Sequence, residues 1–216
     1  MSAIAYADFS CPMCYLASLR VDRLRATGRA TPDWRAIEHR PRLPLTGLRL
    51  GPAAHRLRDR ELAAVARLAE SGEELPSGSP ALLPHTGAAV VAYAEAVGAG
   101  VADQVRSLLF RAYWLEGDDI GDPEVLRHLL PPAFATGRAT GDPVRDFGYA
   151  VTSQRGPVTT AAYRRIRDWQ CDWLALGAPL ALTLTTDDLT TDDLTTGAAA
   201  LAALRTSPME ELRDAS

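Results

Sequence analysis

Two cysteines three residues apart, at the joint between an apolar run and an amphipathic one, constrain this chain more than any other feature. Ala3-Ile4-Ala5-Tyr6-Ala7-Asp8-Phe9 is apolar almost throughout and reads as a short strand. Ser10-Cys11-Pro12-Met13-Cys14 follows, and beyond it Ala17, Val21 and Leu24 recur at i, i+4 and i+7, one face of a helix. Residues 3–24 are therefore predicted to form a strand, a sharp turn and a helix. A helix start turns its unpaired N–H groups and the positive end of its dipole toward the first thiol, so Cys11 is expected to ionise more readily than a free cysteine. Cys14, one turn further in, is placed to attack a mixed disulfide formed on Cys11. Pro12 falls in the first turn, where its missing N–H costs no hydrogen bond.

Three chemistries compete for such a pair. Half of a zinc site needs two further ligands, yet the only other cysteine is Cys171, and His39, His55, His85 and His128 lie far apart. Two chance cysteines in a core turn are the bland alternative. The strand before and the helix after favour a redox dithiol. Cys171 falls opposite the apolar stripe of its own helix and reads as a bystander thiol.

The remaining pattern divides the chain of 216 residues into an interrupted domain. Residues 33–40 read as a second strand, parallel to the first because a helix intervenes. From residue 53 the pattern is helical: Leu57, Ala64, Val65 and Leu68 share a face, the alanine- and valine-rich 88–97 reads as a buried helix, and Val101, Val105, Leu108, Leu109 and Ala112 keep helical spacing. Asp122-Pro123 and Asp142-Pro143 each place a capping aspartate before a proline at the first helical position. A helix over 160–176, striped by Ala162, Ile166, Trp169 and Trp173, leads back to a strand at 180–185. The tandem Thr-Thr-Asp-Asp-Leu of 185–194 suits a hairpin turn better than a calcium loop, since it lacks the glycine such a loop needs. Gly197 to Arg205 reads as a last helix, with a tail after Pro208. The expected fold class is α/β, with residues 1–52 and 157–216 as one discontinuous domain and 53–156 as an all-α insertion.

Charge and hydropathy exclude several roles. A net charge of −4 gives no electrostatic case for nucleic acid. No run approaches the roughly 18 apolar residues of a membrane span, and the N-terminus has neither a charged n-region nor an apolar h-region, so a cytoplasmic location is expected. In a reducing compartment a cysteine pair is more often catalytic than structural.

Asp8-Phe9-Ser10-Cys11-Pro12-Met13-Cys14-Tyr15-Leu16 resembles the dithiol segment of DsbA-like thioredoxin-fold proteins, especially the FrnE-like and 2-hydroxychromene-2-carboxylate isomerase branch. The stretch from Leu109 through Trp114 and Gly117 to Leu126 resembles that branch's helical insertion. The resemblance implies a thioredoxin-like fold and a thiol–disulfide oxidoreductase, with Cys11 as nucleophile, Cys14 as resolving thiol and Pro12 between them. It also implies a cis-proline facing the dithiol, a role that falls on Pro179, with Ala178 before it and Met13 across from it on the substrate side. No metal or organic cofactor is implied. Partners would be a disulfide-containing protein or a small thiol such as glutathione, and a homodimer is left open. A glutathione-dependent isomerase or transferase of the same branch, or a non-catalytic binding protein on the fold, are the alternatives. Asp8 has two readings, a proton carrier for the dithiol or a cap for the turn. His39 reads as a surface residue closing its strand, and Tyr113 and Trp114 as core packing.

Overall fold

β1 (Ala3–Ala7) runs through the middle of the molecule, with Ile4 to Ala7 buried. A strand covered on both faces needs no polar alternation, which is why its sequence is a continuous apolar run. The computed structural model describes residues 3–138, 149–151, 157–177, 180–186 and 194–205. β2 (Asp33–Ala36) pairs with β1 in parallel, β7 (Thr183–Thr186) pairs with its other edge antiparallel, and β8 (Thr195–Thr196) follows β7, giving the order β2-β1-β7-β8. α1 (Pro12–Ala26) makes the connection between the two parallel strands.

The second strand is shorter than expected. Its ladder stops at Ala36, with one further bond from the Ile37 N–H to the Ala7 carbonyl, because β1 itself turns away at Asp8. Beyond that point side chains take over the pairing. The Gln170 amide accepts from the Glu38 N–H at 3.0 Å and donates to the Glu38 carbonyl at 3.3 Å.

The helical segment comprises α2 (Pro52–Ala66), α3 (Gly87–Ala99), α4 (Ala102–Arg111), a π-helical turn (Ala112–Glu116), α5 (Pro123–Leu129) and α6 (Pro131–Phe134). α7 (Thr160–Ala175) packs on α3 and returns the chain to the sheet, and α8 (Gly197–Ala203) packs on α1. The expected Asp122 cap forms, its Oδ1 accepting from the Glu124 N–H at 2.9 Å. Trp169 and Trp173 are buried on α7 as their spacing predicted, and Cys171 is exposed.

Two expectations fail here. The 53–156 span is not purely helical, for β4 (Leu82–Leu83) pairs antiparallel with β3 (Leu48–Arg49), and β5 (Tyr149–Val151) pairs with β6 (Pro157–Thr159). Two-residue ladders carry no hydrophobic period, so nothing in the sequence marks the first pair. The buried face of α2 is Arg58, Leu62 and Val65, while Leu57 is 58 % exposed. The helix is turned so that the Arg58 guanidinium, and not Leu57, faces inward.

Buried arginines lock the layers together. Arg106 on α4 donates to Ser18 Oγ at 3.1 Å and to the Asp103 carboxylate, pairs with Asp22 on α1, and lies 5.2 Å over the Trp34 ring. Arg20 on α1 donates to Glu73 at 2.9 Å and to the Leu68 and Leu201 carbonyls, joining α1 to the segment after α2 and to α8. A buried guanidinium is tolerable only when its donors are met in this way.

Candidate functional site: a dithiol at a helix start

The turn that leads from β1 into α1 is held at nearly every polar atom. Asp8 is 1 % exposed. Its Oδ1 accepts from the Ser10 N–H and the Ser10 hydroxyl, both at 2.7 Å, and its Oδ2 accepts from the His39 N–H at 2.8 Å and the Thr86 hydroxyl at 3.1 Å. Both oxygens act as acceptors throughout, so the carboxylate binds the turn to β2 and to the start of α3. Of the two readings for Asp8, the cap is the one its contacts describe.

The carbonyls of the same turn are met from the helical segment. Trp114 Nε1 donates to the Phe9 carbonyl at 3.1 Å, and Arg58 Nη2 donates to the Ser10 carbonyl at 2.9 Å. Arg58 Nη2 also donates to the Tyr113 hydroxyl at 3.2 Å, and its guanidinium lies 5.5 Å over the Trp114 ring. Tyr113 donates in turn to the Leu82 carbonyl at 3.2 Å. Tyr113 and Trp114 are adjacent, yet both reach the Arg58 cluster because the chain there is a π-turn, which fits an extra residue into the helical cycle. Burial pushes the Tyr113 phenol up to about 12, so it remains a hydrogen-bond donor at neutral pH. Core packing, the sequence expectation for these aromatics, describes only half of what they do.

Cys11 is the N-cap of α1, in extended conformation at φ −92° and ψ 126°, and Pro12 takes the first helical position as expected. Cys11 as a residue is half-buried, whereas Cys14 is 0 % exposed. Both are free thiols. Their acidities are pushed apart. The Cys14 thiol donates to the Cys11 sulfur and holds Cys11 below the ordinary cysteine value, assisted by the backbone N–H groups of Cys14 and Met13 and opposed by burial and by the Asp8 charge. Burial pushes Cys14 well above that value, reinforced by its donation to Cys11 and by the charge there. The neighbouring thiol thus joins the N–H groups of the helix start in favouring the Cys11 thiolate.

Cys11 opens onto a cavity of about 340 Å³ walled by Met13, Val65, Leu180 and Leu182, with His39, Arg40 and Arg58 at its polar side. Met13 is half-buried beside Gly197, where an added Cβ would come within 3.7 Å of the Met13 sulfur and 3.0 Å of Leu180. Gly197 also has φ +56°, so glycine answers both to the backbone and to the crowding. His39 is not the surface residue expected: it is half-buried, walls the cavity, and burial lowers its imidazole below the usual histidine value. Arg58 and His39 carry no local sequence signal, because each reaches the dithiol from another element. Ala178, Pro179, Asp142-Pro143, the tail after Pro208 and most of the tandem repeat lie outside the described residues.

Comparisons with known proteins bear on the family and the fold. The model of the DSBA-like thioredoxin domain family matches residues 4–133, and the chain belongs to that family. Among solved structures, a candidate protein disulfide isomerase from Nitrosomonas europaea is similar, at 13 % identity and a TM-score of 0.52, covering 94 % of this chain and 96 % of that one. The cytosolic disulfide reductase DsbM from Pseudomonas aeruginosa, solved with GSH, matches at 20 % identity and a TM-score of 0.49, over 90 % of this chain and 88 % of that one. No curated protein matches. The fold is thioredoxin-like, with a mixed sheet and a large helical complement. No helix among the described residues is long and apolar enough to cross a membrane.

Proposed function

We propose that the protein is a thiol–disulfide oxidoreductase whose redox centre is the Cys11–Cys14 pair. The observation that carries the proposal is the placement of the pair, a half-buried Cys11 that caps the start of α1 and opens onto a cavity, with a fully buried Cys14 one turn behind it. Exchange needs one thiol that is ionised and reachable and a second that is protected until the first has reacted. In the reducing direction, the Cys11 thiolate attacks one sulfur of the substrate disulfide, forming a mixed disulfide and releasing the other sulfur as a thiolate. Loss of the Cys11 negative charge removes the two contributions that reinforce burial in holding the Cys14 proton, its donation to Cys11 and the charge there, and the released substrate thiolate is a base that can take that proton. Cys14 then deprotonates and attacks Cys11 Sγ, releasing the second substrate thiolate and leaving a Cys11–Cys14 disulfide. Two electrons pass to the substrate, and a thiol such as glutathione would return them. The same steps reversed make the protein an oxidant. A reducing compartment suits the dithiol form. The backbone contact on the substrate side is assigned to Pro179, with Ala178 and Met13 beside it, on the family resemblance.

Replacing Cys14 by serine tests the assignment. The variant should accumulate mixed disulfides through Cys11 that appear on non-reducing gels and dissolve in dithiothreitol, while Cys11→Ser should form none and lose turnover. Turnover by Cys11→Ser would refute the proposal. So would a glutathione-dependent isomerisation that both variants perform at the wild-type rate, which would favour the isomerase alternative.

A further inference from the structure

The charge that Cys11 gives up in exchange has to be received elsewhere. When its thiolate attacks a disulfide, the sulfur–sulfur bond breaks and the electron pair leaves on the second substrate sulfur. One negative charge therefore moves from Cys11 to the leaving group, with no proton transferred in that step. Displacement at sulfur is in line, which puts the leaving sulfur roughly 4–5 Å beyond Cys11 Sγ, two stretched sulfur–sulfur lengths. The cavity of about 340 Å³ onto which Cys11 opens is where that sulfur goes.

The polar side chains in the cavity wall are those of Asp8, Ser10, His39, Arg40, Arg58 and Glu61. Asp8 and Glu61 are carboxylates and repel a thiolate. The Ser10 hydroxyl is committed to Asp8 at 2.7 Å. Burial lowers the His39 imidazole below the usual histidine value, so it is neutral at neutral pH and has no acidic proton to give. Arg58 is turned to the protein: its Nη2 serves the Ser10 carbonyl and the Tyr113 hydroxyl, and its Nε is buried. Arg40 is the remaining cation. Its backbone is held in place, since the His39 N–H before it donates to Asp8 at 2.8 Å and its own carbonyl accepts from the Leu43 N–H at 3.2 Å. Its side chain is exposed, and no hydrogen bond or ion pair takes up its guanidinium among the described residues. Cys11 draws its own stabilisation from the Cys14 thiol and the N–H groups of the helix start, which leaves the Arg40 charge to the far side of the exchange.

We infer that Arg40 is a catalytic residue, the cation that receives the thiolate leaving the attacked disulfide. The inference rests on the proposed dithiol chemistry and adds a residue to it. A guanidinium stays charged at any working pH and presents several N–H donors, so it meets the developing charge without a proton changing hands. In the reverse direction the same group holds the incoming thiolate before it attacks the mixed disulfide on Cys11.

The test uses the reduced full chain and a series of uncharged diaryl and dialkyl disulfides whose leaving thiols are graded in acidity, so that binding of a substrate charge plays no part. The less acidic the leaving thiol, the harder it departs and the more its charge needs a partner. Arg40→Gln should slow the oxidation of Cys11 by about 5- to 10-fold with the least acidic leaving thiol, the worth of one partly solvated charge contact, and by less than about 2-fold with the most acidic. Arg40→Lys, which keeps the charge, should recover more than about half of that loss on a logarithmic scale. The alkylation of Cys11 against pH should coincide in all three proteins, because the nucleophile itself is untouched. A loss by the same factor at every leaving group, no loss at all, a lysine variant as slow as the glutamine variant, or an alkylation profile that moves with Arg40→Gln would each overturn the role of Arg40 and leave the dithiol chemistry standing. A wild-type protein in which none of the disulfides oxidises Cys11 would overturn the dithiol reading and the role of Arg40 together.

Discussion

Asp8→Asn is the sharpest perturbation of the turn that presents Cys11. The amide has nearly the shape of the carboxylate but only one acceptor oxygen. If that oxygen stays with the Ser10 N–H and hydroxyl, the new NH2 faces the His39 N–H and the Thr86 hydroxyl. The Thr86 hydroxyl can rotate to accept, but the His39 N–H cannot, and a buried donor left unmet costs about 1–3 kcal/mol. The two Ser10 bonds lose their charge assistance, roughly 1 kcal/mol each. Relief from burying a full charge offsets part of this, leaving a loss of about 2–4 kcal/mol. At a urea dependence of about 2–3 kcal/mol per molar for a chain of this length, the midpoint should fall by roughly 1 M. The second readout has the opposite sense. The Asp8 charge raises both thiols, so its removal should lower the pH at which Cys11 becomes alkylatable. A midpoint shift below about 0.3 M, or a Cys11 alkylation curve displaced to higher pH, would refute the role given to Asp8.

Other consequences follow from the same contacts. Cys14→Ala removes the donor that most lowers Cys11, so the Cys11 alkylation profile should move to higher pH, and an unmoved profile would shift the credit to the helix end. Trp114→Phe keeps the ring but leaves the Phe9 carbonyl without its donor, and should cost about 1–2 kcal/mol in urea unfolding with little change in compactness. Cys14 is protonated in the fold to a higher pH than in the unfolded chain, so the stability it contributes is present below the unfolded cysteine value of about 8.5 and lost as pH rises from there through its folded value. Cys11 has the reverse sign, its contribution present above about 8.5 and lost as pH falls through its lowered folded value. Cys14→Ser should therefore remove the alkaline loss of stability from the reduced protein, as urea midpoints between about pH 7 and 10 would show.

The features legible in the sequence were those whose cause is local. The apolar run of β1, the Pro12 helix start, the Asp122 cap and the Trp169–Trp173 stripe each depend on residues within a turn or two, and each stands where its spacing put it. Features that depend on distant partners were not legible. Arg20, Arg58 and Arg106 look like surface charges in the sequence and are buried because acceptors arrive from other elements. The misread face of α2 has the same origin: periodicity weighs Leu57 above Arg58, and the Ser10 carbonyl with the Tyr113 hydroxyl reverses the order. The dithiol itself was found from its spacing, but its walls were not. His39 comes from the end of β2, Arg58 from α2, and the π-turn that brings Tyr113 beside Trp114 has no marker in composition.

The most direct test of the central claim is a redox titration of the whole chain in glutathione buffers, followed by alkylation and peptide mapping at each potential. The account predicts one two-electron transition in which Cys11 and Cys14 disappear together into an intramolecular disulfide while Cys171 remains alkylatable throughout. A transition that ends in a stable glutathione adduct on Cys11, or one that consumes Cys171 before the pair, would contradict it.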